Sequence, residues 1–181
     1  MLTGKQVHEA QARTVRMMKK AGIAVTPAEA SRIEVADFGL GELARTGLEI
    51  LVYVNNARYC AKELVMFPRQ TCPQHKHPAI AGCPGKMETF RCRQGKVYLY
   101  TPGRPARKPG ARPPRGSERH YTVWHETVLG PGDQSTIPPG TMHWFQAGPK
   151  GAIVSEFSSR SRDESDVFKD PRIRRATKVA S

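Results

Sequence analysis

Four side chains in two separate stretches have the types and spacing to hold one metal ion. The first stretch carries His75 and His77 and, after ten intervening residues, Glu88; the second carries His143, just after a Pro-Pro-Gly turn. Residues i and i+2 of a β-strand point to the same face, so His75 and His77 can reach one ion. Three imidazoles and a carboxylate suit a divalent first-row transition metal. Since a His-x-His pair also arises by chance, the hypothesis depends on all four residues together.

The elements that must position these side chains are short strands. Apolar and β-branched runs alternate with turn signals at intervals of about eight to twelve residues, which is typical of a sandwich or barrel. No helical pattern alternates with strand there, so a parallel doubly wound sheet is not expected. The predicted strands are 48–54, 59–67, 71–77, 88–93, 96–100, 121–128, 135–137, 142–147 and 152–158, with a hairpin about Gln94 and Gly95.

Helices are predicted only outside this region. Apolar residues at helical spacing predict an amphipathic helix over 4–22. A capping-box pattern, with Thr26 as the N-cap and Glu29 three residues on, predicts a second short helix to about residue 33. A short helix is expected around 164–168, followed by an exposed tail from residue 170.

Length and composition indicate a single domain over 1–181 with a full core. Within it we expect N-terminal helices (1–33), a barrel (48–158), a basic Pro/Gly-rich loop (103–119) and a C-terminal extension (159–181). The sequence has no run of 18 apolar residues and no secretory signal, which favours a cytoplasmic protein without membrane contact. Four cysteines without Cys-x-x-Cys spacing are expected to be reduced thiols, and Cys72 is interpreted as structural rather than as a ligand.

The net charge of +13 raises the question of nucleic-acid binding. Much of the excess lies in the basic loop and in the tail from 169 to 178, and the loop has no aromatic residue for base stacking. We interpret both as solvated surface and expect no specific nucleic acid, only a weak affinity for polyanions at low salt.

The two metal-ligand stretches, their order and the strand-rich frame resemble the cupin superfamily. The first cupin motif matches His75, His77, Glu88 and Gly95, with a longer gap before the glutamate. The second matches Gly132, Pro138, Gly140 and His143, with Ala147 in place of the usual final asparagine. The resemblance implies an all-β fold with added helices: a single cupin barrel, or double-stranded β-helix (jelly roll), carrying N-terminal helices.

Within the cupins, the sequence resembles the D-lyxose isomerase family along most of residues 30–175. The segments that carry the likeness include Cys72-Pro73-Gln74-His75-Lys76-His77-Pro78 and Ile137-Pro138-Pro139-Gly140-Thr141-Met142-His143. The resemblance implies a homodimeric aldose–ketose isomerase that acts on a monosaccharide. Its expected reaction interconverts D-lyxose and D-xylulose, and often D-mannose and D-fructose. The expected cofactor is Mn²⁺, although the ligand set also accepts Co²⁺, Ni²⁺, Fe²⁺ or Zn²⁺.

The same resemblance points to Glu156 and Lys86 as the proton-transfer pair. We assign Glu156 as the general base and Lys86 as the acid or electrostatic partner, with a lowered lysine pKa expected from burial near a metal; the two roles could be exchanged. Alternatively, Lys86 is an ordinary loop residue and Glu156 orients a ligating histidine.

Four more residues are candidates for substrate contact. Lys62 is expected to bind a sugar hydroxyl or to pair with a carboxylate. Asp166 is expected to do the same, unless it is only a charge at a helix N-terminus. Phe90 and Trp144 are assigned to the wall of the sugar site, with a place in the core as the alternative.

Two other functions remain open from the sequence. Cupins with three histidines and a glutamate also include non-haem iron dioxygenases, which would need neither Lys86 nor Glu156. A non-catalytic sugar-binding cupin would hold metal and ligand without turnover.

Overall fold

Two helices at the N-terminus begin at caps that the sequence encodes. In the computed structural model, which describes residues 1–80 and 82–180, Thr26 and Glu29 form the predicted capping box. Thr3 and Gln6 form a second one, with the side chain of each residue bonded to the backbone N–H of the other. The helices that follow these caps are α1 (Gly4–Lys20) and α2 (Pro27–Ser31). Within the described residues, neither helix is long and apolar enough to cross a membrane.

The described part of the chain also contains eleven strands. They are β1 (Leu2–Thr3), β2 (Glu34–Ala36), β3 (Leu48–Asn55), β4 (Cys60–Met66), β5 (Thr71–Lys76), β6 (Glu88–Thr101), β7 (His125–Leu129), β8 (Gln134–Ile137), β9 (His143–Ser158), β10 (Val167–Phe168) and β11 (Val179–Ala180).

One antiparallel sheet of nine strands curls around the core. Strand β9 lies at its centre: it pairs along one side with β6, and along the other with β5 in its first half and β4 in its second. The sheet continues from β4 through β3 to β2, and from β5 to β10, while β7 and β8 pair with β6. The large apolar side chains of these strands fill the interior, among them Leu64, Phe90 and Phe145.

The hairpin predicted about Gln94 and Gly95 is wrong. Residues 88–101 form one strand that pairs first with β8 and then with β7, and its register against β9 shifts at residues 92–94 and 95–97. A Cβ at Gly95 would lie 2.1 Å from the carbonyl oxygen of Gly151. The glycine therefore serves a close crossing of two long strands rather than a turn. The two strands predicted for 142–158 are likewise the two halves of β9.

The C-terminal predictions are also wrong. Residues 163–165 form one 3-10 turn, and β10 then pairs with His75 and Lys76 of β5. Beyond it, Ile173 lies in the core and Arg175 pairs with Glu34. Strand β11 pairs in parallel with β1. These strands are too short for a sequence pattern to show that the segment folds back onto the barrel.

The helices cover part of the outer face of the sheet. Met18 of α1 packs with Leu51, Val65 and Ile153, which point outward from β3, β4 and β9. These four side chains are fully buried. The helical segment therefore closes one outer surface and leaves the interior of the barrel to the candidate site.

Candidate active site

The four predicted ligands converge inside the barrel. One ring nitrogen from each of His75, His77 and His143 lies within 4.8 Å of the others. Glu88 Oε1 lies 3.2 Å from Nε2 of His77 and 3.0 Å from Nε2 of His143. Strand register explains the meeting, because His75 of β5 is directly opposite His143 of β9.

Each histidine is oriented through its other ring nitrogen. Nδ1 of His75 and Nδ1 of His143 contact the carbonyl oxygens of Pro73 and Thr141, at 2.8 and 3.0 Å. Nδ1 of His77 contacts a carboxylate oxygen of Asp166. Acceptors at Nδ1 place a proton there, as is usual for histidines that ligate metals, and direct Nε2 of each ring toward the centre of the group, where Nε2 of His77 contacts Glu88.

The residues fit a divalent cation. Nε2 of His143 is buried yet makes no hydrogen bond, although the Glu88 carboxylate lies beside it. A buried nitrogen without a partner is costly unless something accepts its lone pair. Burial and the neighbouring histidines lower the pKa of His75 well below its ordinary value, so it is the neutral base that a ligand must be. Cys72 is different: burial raises its thiol pKa well above the usual value, which fits the predicted structural role.

Lys86 and Glu156 meet directly beside this group. The Nζ atom of Lys86 lies 3.0 Å from Glu156 Oε1 and 2.8 Å from Glu88 Oε2. Both Lys86 and Glu156 are almost fully buried. The ammonium group of Lys86 thus contacts both Glu88, the candidate ligand, and Glu156, the candidate base. A change in the charge of Glu88 therefore alters the electrostatic environment of Glu156.

The carboxylates around Lys86 oppose the lowered pKa expected for it beside a metal. Burial does disfavour the charged amine, but the carboxylates of Glu156, Glu88 and Asp163 outweigh it and hold the pKa of Lys86 well above its ordinary value. Of these three carboxylates, only Glu88 is close to Lys86 in the sequence. Lys86 is therefore an ammonium ion, a donor rather than a base.

Two charged residues that the sequence analysis missed complete the network. Asp163 accepts a hydrogen bond from Lys62 at 2.9 Å and lies 3.6 Å from Lys86. Arg175 lies 3.4 Å from Asp163. Lys62 also lies 3.5 Å from Glu156. Asp163 stands in the charged stretch that carries Asp166, but nothing in its spacing separates it from surface charges. Arg175 was counted as part of an exposed tail.

These residues line one cavity in the barrel. Phe90 lies in its wall, as do Lys62 and Asp166. Phe38 and Phe168 add apolar wall that the sequence analysis did not identify. Among the described residues, four carboxylates and three Lys or Arg side chains face this space.

Trp144 does not line this cavity, which corrects its assignment to the sugar site. It follows His143 on β9, so its side chain points to the opposite face of the strand. There its ring stacks on Tyr100 with centroids 4.0 Å apart, and its Nε1 donates to the carbonyl of Val123. Trp144 therefore belongs to an aromatic cluster behind the site.

The loop between His77 and Glu88 carries Lys86 into the cavity. A Cβ at Gly85 would lie 2.1 Å from the carbonyl oxygen of His77 and 3.1 Å from the backbone nitrogen of Gly140. Only glycine allows this approach, which presses the end of the loop against both metal-ligand stretches. The extra residues before Glu88 thus contribute Lys86 to the site.

Solved structures of similar shape share the barrel fold. The ligand-free L-ribose isomerase of Cellulomonas parahominis superposes with a TM-score of 0.81 at 17% identity, covering 99% of this chain and 98% of that one. The L-ribose isomerase of Acinetobacter sp. DL28 in complex with L-ribose gives 0.81 at 15% identity, with the same coverage. The predicted fold class is confirmed. A scan against protein-family models finds no match.

Sequence relatives are much closer. The D-lyxose/D-mannose isomerase of Thermosediminibacter oceani is 63% identical over 179 residues, which is 99% of each chain. The D-lyxose ketol-isomerase of a Thermofilum species is 62% identical with the same coverage. The chain belongs to the D-lyxose ketol-isomerase family, whose members are sugar isomerases, as its sequence motifs predicted.

Proposed function

We propose that this enzyme is a metal-dependent aldose–ketose isomerase that interconverts D-lyxose and D-xylulose, and also D-mannose and D-fructose. The observation that carries the proposal is the contact of Lys86 with both Glu156 and Glu88, beside three converging histidines, in one cavity. The names of the relatives support the choice of sugars.

Moving a carbonyl from C1 to C2 requires a base at carbon and stabilisation of the negative charge that develops on oxygen. His75, His77, Glu88 and His143 would hold a divalent cation, most suitably Mn²⁺. When bound, such a cation supplies polarisation of the sugar oxygens. The side chains of the protein must supply the proton transfer and the remaining stabilisation of charge.

Glu156 is assigned as the base that takes the proton from C2 and returns it at C1. Lys86 is charged and so cannot accept that proton; it donates to, or stabilises, the sugar oxygen that gains negative charge. Lys62, which also contacts Glu156 and Asp163, is positioned to bind a hydroxyl of the sugar. Asp166, by contrast, orients His77.

The lining of the cavity suits a sugar. Its charged end offers hydrogen-bond partners, and Phe90 and Phe168 offer an apolar wall. A homodimer is proposed on family likeness alone, and size-exclusion chromatography with light scattering tests it.

The decisive assay follows ketose formation from D-lyxose without oxygen, after chelator treatment and addition of a single metal. We expect turnover that depends on the added metal and is greatest with Mn²⁺. A parallel panel of D-mannose, L-ribose and D-xylose measures which aldoses fit the cavity.

The same assay separates the alternatives. Turnover that required oxygen would replace the isomerase by a dioxygenase. Binding of D-lyxose without any ketose, with every metal tried, would indicate a sugar-binding protein that does not catalyse.

A further inference from the structure

A second pocket lies at the other end of the strand pair that carries two of the histidines. Strands β5 and β9 place His75 opposite His143 at one end and Thr71 opposite Gln146 at the other. Around Thr71 and Gln146 is an open pocket of about 420 Å³. Four arginines line it: Arg45, Arg69, Arg112 and Arg115. We call it the arginine pocket.

The basic loop is fixed against this pocket rather than free in solvent. Ala111 is buried, and its backbone N–H donates to the Tyr100 hydroxyl at 2.9 Å. The side-chain amide of Gln146 donates to the carbonyl of Arg112 at 2.7 Å. A Cβ at Gly110 would lie 2.2 Å from the ring of Tyr98. The interpretation of this loop as solvated surface is therefore incomplete, because part of it packs on the barrel and forms a pocket wall.

The backbone at Arg69 is strained. The N–H of Gln70 donates to the carbonyl of Phe67, closing a tight turn with Pro68 in its second position and Arg69, at φ 61°, in its third. A positive φ at the third position is the pattern of a type II turn, which glycine or asparagine fills without strain. A residue with a long side chain costs about 1 kcal/mol or more there, and such strain clusters at ligand sites. The turn thus places an arginine at the pocket where a glycine would fold more easily.

The charges of the pocket are largely uncompensated. Arg45 pairs with Glu42 at 2.6 Å. Across residues 1–80 and 82–180, no carboxylate lies within ion-pair distance of Arg69, Arg112 or Arg115. Guanidinium groups bind phosphate oxygens with paired hydrogen bonds and keep their charge at any ordinary pH. No aromatic side chain is among the lining residues, so the pocket has no surface for base stacking.

We propose that the arginine pocket binds a small, free oxyanion of the phosphate class. Thr71 and Gln146 form its buried floor, and Arg69, Arg112 and Arg115 supply the charge. The site is separate from the proposed catalytic site, and the proposal does not depend on the reaction.

The test measures binding of inorganic pyrophosphate by isothermal titration calorimetry, with sodium chloride matching the ionic strength. Arg69→Gly and Arg112→Gln each remove one guanidinium from the pocket. Arg104→Gln removes the same charge from the basic loop outside the pocket and is the matched control. Glycine adopts a positive φ without cost, so Arg69→Gly keeps the turn and should melt within a few degrees of the unsubstituted protein.

We expect saturable binding that weakens about tenfold or more in Arg69→Gly and Arg112→Gln but changes less than about twofold in Arg104→Gln. Absence of saturable binding would overturn the proposal, as would equal losses in all three variants, which would indicate general charge attraction. A short single-stranded DNA oligonucleotide is titrated in parallel. If the oligonucleotide bound through Arg69 and Arg112 while pyrophosphate did not, a nucleic-acid backbone would replace the small anion.

Discussion

Glu156 and Lys86 come from positions seventy residues apart, yet their charged atoms lie 3.0 Å apart inside the barrel. Buried ion pairs contribute little net stability, because desolvation opposes the attraction between the charges. Their place next to three histidines and a second carboxylate points instead to chemistry. Three carboxylates raise the pKa of Lys86 and favour its ammonium form, and we therefore propose Glu156 as the base.

Glu156→Gln tests that assignment. The amide keeps the size of the side chain but cannot take a proton from carbon. We expect kcat for D-lyxose to fall by about 10²–10⁴-fold, the usual contribution of a general base. The metal content, measured by mass spectrometry of the purified protein, should stay the same, since Glu156 is not among the proposed ligands.

The matched control is Glu63→Gln. Glu63 lies one residue beyond Lys62 on β4, points away from the cavity and accepts a hydrogen bond from Ser155 at 2.8 Å. Its substitution should leave kcat within about threefold of the starting protein. If the Glu156 variant lost metal together with activity, the glutamate would be a structural support for the ligands rather than the base.

Glu49 gives a pH-dependent prediction outside the active site. Burial raises the pKa of this carboxyl to about 8, with hydrogen bonding to Gln70 and the charge of Arg13 opposing the shift only in part. One of its oxygens has no partner. Above a pH of about 4.5 the unfolded chain releases this proton while the folded protein holds it. The carboxyl therefore lowers the free energy of unfolding by up to about 1.4 kcal/mol per pH unit until about pH 8.

Glu49→Gln should remove this loss. The variant is expected to match the starting protein near pH 4 and to exceed its free energy of unfolding increasingly toward pH 8. Urea denaturation at four or five pH values measures the difference. A difference that did not change with pH would show that Glu49 is ionised in the folded protein throughout this range.

At the scale of elements, the loop between β5 and β6 decides where Lys86 stands. Gly85 presses against the carbonyl of His77, so the loop cannot shift without moving one of the ligand stretches. The sequence predicted a loop at these residues and its delivery of Lys86. It did not show the contact that fixes the loop.

Gly85→Ala should displace this loop. The added methyl would overlap the His77 carbonyl, so we expect a loss of about 1–3 kcal/mol in the free energy of unfolding and a drop in kcat as Lys86 moves from Glu156. Gly130→Ala is the control, because its Cβ would meet only a side-chain oxygen of Asp133 at 3.5 Å. Equal activities of the two variants would mean that the loop does not position Lys86.

Errors in element prediction have one cause. The residues at 94–95 and 148–151 carry turn signals, yet β6 and β9 continue through them with shifts of register. A local pattern cannot distinguish a turn from a bulge where a long strand bends between partners. Similarly, β10 and β11 are two residues each, and only their partners β5 and β1 make them strands.

At the scale of the whole molecule, the barrel brings into one cavity charged side chains that are spread over 114 positions of the sequence, from Lys62 to Arg175. Beside these side chains, Nε2 of His143 is buried without a hydrogen-bond partner, which is costly unless a bound cation accepts its lone pair. A bound metal should therefore stabilise the folded protein as well as serve the reaction.

Chelator treatment tests this coupling. We expect the metal-free protein to lose activity and to melt about 5–10 °C lower than protein with Mn²⁺ at about 100 times its dissociation constant. Differential scanning calorimetry and the ketose assay measure both. Adding Mn²⁺ should restore both the activity and the melting temperature of the starting protein. It should restore neither in His143→Gln, since that variant lacks one of the four ligands. Full activity in protein shown by mass spectrometry to hold no metal would contradict the metal-dependent mechanism.

The sequence alone determined the ligand residues as candidates, the cupin class of fold and the membership of an isomerase family, because ligand types, spacing and strand patterns are local properties of the chain. It also placed Lys86 and Glu156 near the site. Only the tertiary structure decided that three carboxylates keep Lys86 charged, that Asp163 and Arg175 join the cavity and that Trp144 faces away from it. Those outcomes depend on which distant segments meet across the barrel, and a pattern read along one segment does not contain that information.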